Sequence, residues 1–124
     1  ENTNRSTDDL IFLSTHEPCP MCLSAITWAG FDTIYYFFNY QETRKTFKIV
    51  HDLDILSEVF GRSDGTYIKE NNFWKCYAMK ELISNLEPAS KDSLLEITER
   101  ISSVYGCLSE EYQSKKDNNS IPLS

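Results

Sequence analysis

The chain has 124 residues, 40% of them hydrophobic and 13% aromatic, which is enough for one domain with its own core. A net charge of −7 disfavours the phosphate backbone of nucleic acids as a partner and favours small neutral ligands. No apolar run approaches the roughly 20 residues that span a bilayer, and the polar first ten residues lack the apolar stretch of a signal peptide, so we predict a cytoplasmic protein without membrane contact.

The first predicted elements are a strand, a helix and a second strand. Leu10–Ser14 is a short apolar run, consistent with a strand buried on both faces. A helix is expected from Pro20 to Ala29, because proline is tolerated in a first turn and Gly30 can end the helix. Thr33–Phe38 is β-branched and aromatic throughout and predicts a second buried strand. Together they predict a βαβ unit with parallel strands and a right-handed crossover.

Two helical segments are predicted after the second strand. Gln41–Phe47 is polar and indicates a short helix or a turn. Asp52–Phe60 predicts a helix that has Asp52 as its N-cap and ends at Gly61. The predicted apolar face of this second helix consists of Leu53, Leu56, Val59 and Phe60.

The last third of the chain also has helical periodicity. Residues 73–86 carry aromatic and aliphatic side chains at helical spacing, and Glu87-Pro88 interrupts the pattern. Residues 91–112 form the longest pattern, with one apolar face suited to core or dimer packing. The polar segments 1–9 and 113–124 are expected to be a solvated loop and a mobile tail.

Cys19 and Cys22 are the side chains best suited to chemistry. At positions i and i+3 they share one helix face, and zinc binds cysteine sulfur tetrahedrally at ~2.3 Å, so both can reach one ion. The start of a helix lowers the pKa of a thiol and favours the thiolates that a metal needs. A bare C-x-x-C also occurs in redox motifs and zinc knuckles, but here Glu17-Pro18 and an apolar strand precede it. The pattern therefore predicts a Zn²⁺ site.

Other potential ligands are weaker candidates. His16 is a possible third ligand, although an exposed or turn-capping histidine is the favoured interpretation. Cys76 and Cys107 lie in amphipathic stretches and are expected to be buried small hydrophobes. A zinc knuckle that shares only the cysteine pair would have to recruit one of these two. Glu17 is expected to shape the turn, with a catalytic base as the alternative.

The motif around the cysteines resembles a known family. It is similar to the purine-type branch of the cytidine deaminase-like superfamily, closest to guanine deaminases and general nucleoside deaminases, with tRNA adenosine deaminases nearby. The match covers about Leu10 to Thr43 and is looser as far as Phe60. The residues that carry it are Glu17-Pro18-Cys19-Pro20-Met21-Cys22, Ala25-Ile26 and Trp28-Ala29.

The resemblance implies both a fold and an activity. The fold is an α/β/α three-layer sandwich with a mixed five-stranded sheet, incomplete here at its N-terminal side, in one deaminase domain over residues 1–124. The activity is zinc-dependent hydrolytic deamination of a purine base or nucleoside, of guanine or adenosine type, with release of ammonia. Relatives are commonly dimers, so a homodimer that binds a small-molecule base or nucleoside is expected, and tRNA remains an alternative substrate.

The resemblance also assigns roles to single residues. Cys19 and Cys22 match the two thiolate ligands of zinc, which a histidine and a water complete. Glu17 and Pro18 match residues that shape the turn, and Trp28 matches a position that lines the base pocket. His51 or Asp52 matches an acidic segment that closes over the base, and we take Asp52 as the second substrate-binding residue. Asn39 and Tyr40 are strand-end residues for which ligand contact is the alternative interpretation.

One half of the family signature is missing from the chain. Neither His16 nor His51, the two histidines, begins a His-x-Glu sequence. The family places this element, with the third ligand and the proton-carrying glutamate, well before the Pro-Cys motif. The chain is therefore expected to be the C-terminal part of a deaminase. No catalytic residue is expected within the chain itself. A catalytically inactive zinc-binding subunit and a structural zinc module are the alternatives.

Overall fold

A computed structural model describes residue 7 and residues 10–116. This part of the chain is of the α/β class, with three parallel strands and five helices. Among these residues none of the helices combines the length and the apolarity that a bilayer crossing requires. The elements are β1 (Ile11–His16), α1 (Pro20–Ala29), β2 (Thr33–Phe38), α2 (Tyr40–Phe47), α3 (His51–Phe60), β3 (Lys75–Ala78), α4 (Met79–Ser84) and α5 (Pro88–Lys115).

The sheet has the strand order β1-β2-β3, so β2 is central. Its side chains Ile34 and Tyr36 are 0% and 1% exposed and pack with Ile26 of α1 and Cys76 of β3. The predicted βαβ unit is confirmed, as are the bounds of α1 and β2. Gly30 ends α1 with a φ of 79°, a left-handed conformation that glycine adopts without strain.

The prediction that the first strand is buried on both faces is wrong. Ile11 and Leu13 are 63% and 67% exposed, whereas Phe12 between them packs against the core. The reason is the strand's position, because β1 lies at the edge of the described sheet and only alternate side chains face α1.

The helix predicted over residues 73–86 is also wrong in its first half. Lys75–Ala78 forms β3, and the helix α4 begins only at Met79. Pairing with β2 outweighs the helical spacing, because it buries Cys76 opposite Ile34 and stacks the ring of Tyr77 on Tyr35 with centroids 5.5 Å apart. The expected burial of Cys76 is confirmed at 5% exposure.

The helix α3 differs from its prediction at its start and on its apolar face. It begins at His51 with Val50 as the N-cap and no side-chain cap, so Asp52 lies inside the first turn and is not the N-cap. Leu53 and Leu56 are buried as expected, but Val59 and Phe60, in the last turn of α3, are exposed, and Phe60 lines an open cleft beside α1. Gly61 ends α3 with a φ of 66°.

The long C-terminal helix is confirmed, but its packing is narrower than its apolar stripe. It starts at Pro88, which suits a first helical turn, and contains no fully buried residue. Ile101 and Tyr105 pack against the cluster of Phe37, Phe38 and Phe47. Cys107 is exposed, which corrects the expected burial, since it lies on the side of α5 away from that cluster.

The two predicted terminal segments fall mostly outside the described residues. Residues 1–6, 8–9 and 117–124 are not described, so the loop and tail predicted there stay predictions. Within the described part, the Thr7 hydroxyl donates to the Ala29 carbonyl at 2.7 Å. Residues 113–115 belong to α5 rather than to a tail, because the helix continues to Lys115.

Asn39 is expected to stabilise α2 by about 1 kcal/mol. Its side-chain oxygen accepts from the backbone N–H of Glu42 at 2.8 Å, and the Glu42 carboxylate accepts from the Asn39 N–H at 3.0 Å. Asn39→Ala should lower the free energy of unfolding by that amount in urea titrations, whereas Asn39→Ser should cost only a fraction of it. An alanine variant as stable as the parent would contradict this capping role.

Candidate functional site

The cysteine motif lies at the edge of the sheet where β1 and β2 end. The Glu17 N–H donates to the Phe38 carbonyl at 2.7 Å, which extends the pairing of the strands by one residue. The Tyr40 hydroxyl donates to the Pro18 carbonyl and fixes the turn that leads to Cys19. Ligands of open parallel sheets bind outside the carboxyl ends of the strands, so the motif stands where such a sheet offers a site.

The two thiols are adjacent. Cys19 is the N-cap of α1, its sulfur accepts from the Cys22 N–H at 3.4 Å, and the two sulfur atoms are 3.3 Å apart. Both residues are partly exposed. The sulfurs are therefore placed to bind one ion together, as the spacing predicts.

The expectation of lowered thiol pKa values is not met at Cys22. The hydrogen bond with Cys19 raises the pKa of Cys22, burial raises it further, and the carboxylate of Asp52 adds a smaller rise. The backbone at the helix start acts in the opposite direction but is outweighed. A metal that binds the pair must therefore displace a proton, as metals do at cysteine sites.

A third ligand is missing from the described part of the chain. No group of three or more histidine, cysteine or acidic side chains there is close enough to hold a metal ion. His16 belongs to no such group, and it is not exposed as expected. It is half-buried, and its ring lies 5.2 Å from those of Phe38 and Phe47 and 5.5 Å from that of Tyr105. The zinc knuckle that recruits Cys76 or Cys107 has no support in this geometry.

The aromatic surroundings of His16 predict a pH dependence of stability. Burial lowers the pKa of His16, and the nearby carboxylate of Glu42 offsets only part of this. The unfolded chain therefore binds a proton more readily than the folded one. The contribution of neutral, packed His16 to the free energy of unfolding is therefore fully present above its unfolded pKa of about 6.5. It is lost as the pH falls below that value towards the lowered pKa of the folded state.

This dependence can be measured with the two histidines of the chain. Urea unfolding of the parent should show stability falling between pH 7.5 and pH 5, and His16→Phe should flatten that fall. His51→Gln serves as the matched control, because His51 lies at the start of α3 away from the cluster. An unchanged slope in the His16 variant would contradict the assignment.

Glu17 is a buried carboxylate with a complete set of partners. It is 5% exposed, and its oxygens accept from the Tyr40 N–H at 3.0 Å and the Tyr67 hydroxyl at 2.9 Å. The Lys69 ammonium lies 3.0 Å from the same oxygen as Tyr67. This supports the turn-shaping role predicted for Glu17, since every lone pair that faces the protein is used to hold the turn.

Lys69 and Tyr67 were missed by the sequence analysis. Burial alone would lower the pKa of Lys69, but the Tyr36 hydroxyl and the Glu17 carboxylate together outweigh it and raise the pKa. Burial also raises the pKa of Tyr67, so its phenol stays protonated and can donate to Glu17. In the sequence, Tyr67 and Lys69 stand two residues apart, which is typical of an extended segment with both side chains on one side. This spacing does not indicate that they are partners of Glu17.

The proposed substrate-binding residues lie in different surroundings. Asp52 is half-buried at the start of α3, burial raises its pKa, and its charge reaches Cys22 and Tyr40. Trp28 is 91% exposed on α1. The structure thus brings Asp52, but not Trp28, near the thiols.

Asn39 and Tyr40 lie at the edge of a small polar cavity of about 220 Å³. Glu17 and Lys69 line the same cavity, so the alternative of ligand contact at the end of β2 stays open. The Asn39 side chain is already engaged as the cap of α2, and Tyr40 is 3% exposed.

Comparisons of the chain with protein-family models, curated proteins and solved structures give no match.

Proposed function

We propose that the chain supplies two zinc ligands of an enzyme that hydrolytically deaminates a purine base or nucleoside. The observation that carries the proposal is the thiol pair, with sulfur atoms 3.3 Å apart at the start of a helix that directly follows a parallel strand. The three-layer sandwich with a mixed sheet, incomplete at its N-terminal side, belongs to the same proposal. The three parallel strands with α1 between the first two support it.

The donor chemistry of the pair suits zinc. In a tetrahedral site with Zn–S bonds of ~2.3 Å, two sulfurs are roughly 3.8 Å apart, so Cys19 and Cys22 need to separate only slightly. They would hold two of four positions. Bound zinc supplies a water of lowered pKa. We place the third ligand and the proton-carrying glutamate on a His-x-Glu element outside these 124 residues, which contain no such sequence.

The reaction is written without redox change. The oxygen of a water adds to the ring carbon that bears the amino group, the C–N bond breaks, and ammonia leaves. Among the described residues, Glu17 and Pro18 hold the turn that positions Cys19, and Asp52, whose charge is felt at Cys22, would orient a base. Trp28, which is 91% exposed, would contact a base across an interface with another copy, which the proposed homodimer would provide.

A zinc-binding subunit without catalysis is the second candidate. Such a subunit needs no proton carrier, and the carboxylate of Glu17, which is paired with Lys69 and Tyr67, is not free to act as one. In this case zinc stabilises a structure or a partner, and no ammonia is released.

An ammonia-release assay on the full-length protein tests the proposal. Guanine, guanosine, adenosine, cytidine and tRNA are offered at matched concentrations, and the zinc content of the same preparation is measured. Turnover of a purine substrate that is lost in Cys19→Ala and retained in Cys107→Ala supports the deaminase. Stoichiometric zinc without turnover of any substrate favours the second candidate, and the absence of both overturns the zinc site itself.

A further inference from the structure

A larger cleft lies beside α1. α1, α3 and the segment that leads to β3 enclose a cleft of about 500 Å³, a volume typical of small-molecule sites. Neither Cys19 nor Cys22 lines this cleft, although their neighbours Pro20, Leu23 and Ser24 do. Its apolar walls are formed by Leu23, Leu56, Phe60, Tyr67, Ile68 and Trp74.

The walls of the cleft are fixed by two turns. At the end of α3 the Arg62 N–H donates to the Leu56 carbonyl at 2.8 Å, which together with the left-handed Gly61 makes a helix-ending motif. In the following segment Asn71 accepts from the N–H groups of Phe73 and Trp74 at 2.9 and 3.2 Å. A cleft whose rim is held by backbone hydrogen bonds is preorganised for a ligand.

Most polar groups that line the cleft already have partners within the protein. The Trp74 indole N–H donates to the Thr27 hydroxyl at 2.8 Å, and the Ser24 hydroxyl donates to the Pro20 carbonyl at 3.0 Å. The Tyr67 hydroxyl is bonded to Glu17 and the Thr66 hydroxyl to Asp64. These bonds leave aromatic and aliphatic surface towards the cleft, which favours a planar apolar ligand.

Arg62 is the exception. Its guanidinium forms no ion pair with any carboxylate of the described chain, although its charge is felt at the exposed Asp64. The exposed side chains of Phe60 and Ile68 stand beside it at the cleft, 57% and 73% accessible. A guanidinium next to apolar walls matches a ligand with one anionic group, which it can bind through two hydrogen bonds.

We propose that this cleft binds an organic anion with a planar aromatic or heteroaromatic body and a single carboxylate or phosphate group. The body lies against Tyr67 and Trp74, and the anionic group pairs with Arg62. In this acidic chain Arg62 suits the role because it forms no ion pair within the described residues.

The two tryptophans provide a readout. 1-Naphthoate, 1-naphthyl phosphate and neutral 1-naphthol are titrated into the ¹⁵N-labelled protein, and the indole N–H signals are followed, with Trp28→Phe giving the assignment. The signal of Trp74 should shift saturably, whereas that of Trp28, which is 91% exposed and outside the cleft, should not. Equal, non-saturating shifts of both signals would overturn the proposal.

Two pairs of variants test the cleft and the charge separately. Ser24→Phe should fill the cleft and abolish binding of all three compounds, while Met21→Phe, on an exposed position of the same helix outside the cleft, should leave it unchanged. Arg62→Gln should weaken the two anions about tenfold and leave 1-naphthol unaffected. Arg44→Gln is the matched control, because Arg44 pairs with Asp54 away from the cleft.

The outcomes separate the parts of the proposal. Unchanged binding in Ser24→Phe overturns the claim that the cleft is the binding site. Equal affinities of the parent and Arg62→Gln for both anions overturn the claim that the ligand is an anion paired with Arg62. Tighter binding of the naphthoate or of the naphthyl phosphate supports the proposal and identifies the anionic group. Because zinc ligands are untouched, these results stand whether or not the deaminase is found.

Discussion

Cys19→Ala is expected to abolish stoichiometric zinc binding by the full-length protein. The pair would supply two of the four positions around the metal, and its sulfurs are 3.3 Å apart. The binding free energy of a structural zinc site is about 10–16 kcal/mol and depends on all of its ligands. The loss of one ligand should therefore weaken binding by on the order of several kcal/mol, which is a hundredfold or more in affinity. Zinc is measured by metal analysis after dialysis against a weak chelator.

Two controls separate the loss of a ligand from the loss of a helix cap. Cys19 is also the N-cap of α1, so Cys19→Ser keeps a capping oxygen while removing the thiol. It should fold like the parent and still lack zinc. Cys107→Ala, at an exposed position on α5, should keep full zinc occupancy. Stoichiometric zinc in Cys19→Ala would remove Cys19 from the ligand set.

Lys69→Met is expected to destabilise the fold by about 2–3 kcal/mol. Breaking a buried ion pair costs about 3–5 kcal/mol because a charge is left without its partner, and this value is reduced here since the Lys69 side chain is 42% exposed. Glu17, whose side chain is 4% exposed, would keep only the Tyr67 hydroxyl and the Tyr40 N–H. Methionine keeps an unbranched apolar chain but removes the ammonium that lies over the rings of Tyr36 and Tyr67 and donates to the Tyr36 hydroxyl.

The chain contains a matched control for this pair. Lys75 and Glu70 are joined at 2.8 Å, but their side chains are 54% and 74% exposed, so Lys75→Met should cost below about 1 kcal/mol. Urea unfolding of both variants and the parent measures the difference. If the two substitutions cost the same small amount, the buried network around Glu17 does not stabilise the turn.

Local signals were sufficient for the elements around the cysteines. Proline at the start of α1 and glycine after its end are read directly from the chain, and β2 is β-branched or aromatic at every position. The helix wrongly predicted over residues 73–86 shows the limit. The spacing of the aromatic residues there fits both the 3.6-residue period of a helix and the two-residue period of a strand. Only pairing with β2, which is distant in the chain, selects the strand.

The candidate site likewise has one part that local sequence predicts and one part that depends on distant contacts. The thiol pair is local, and its geometry follows from a three-residue spacing at a helix start. The partner that fixes Glu17 is not local, because Tyr67 is 50 residues away in the chain. The burial of His16 among aromatic rings likewise depends on where α5 docks, so periodicity could not indicate it.

The central position of β2 also bears on how the chain folds. β1 meets β2 across the short α1 connection, whereas β3 meets it only after residues 39–74 are in place. The entropy of closing a loop rises with its length, so the β1–α1–β2 contacts should form earlier along the folding reaction. Truncating Ile34 should then slow refolding, while Cys76→Ala should chiefly accelerate unfolding. The segment that carries both thiols would thus take shape before the strand that completes the described sheet.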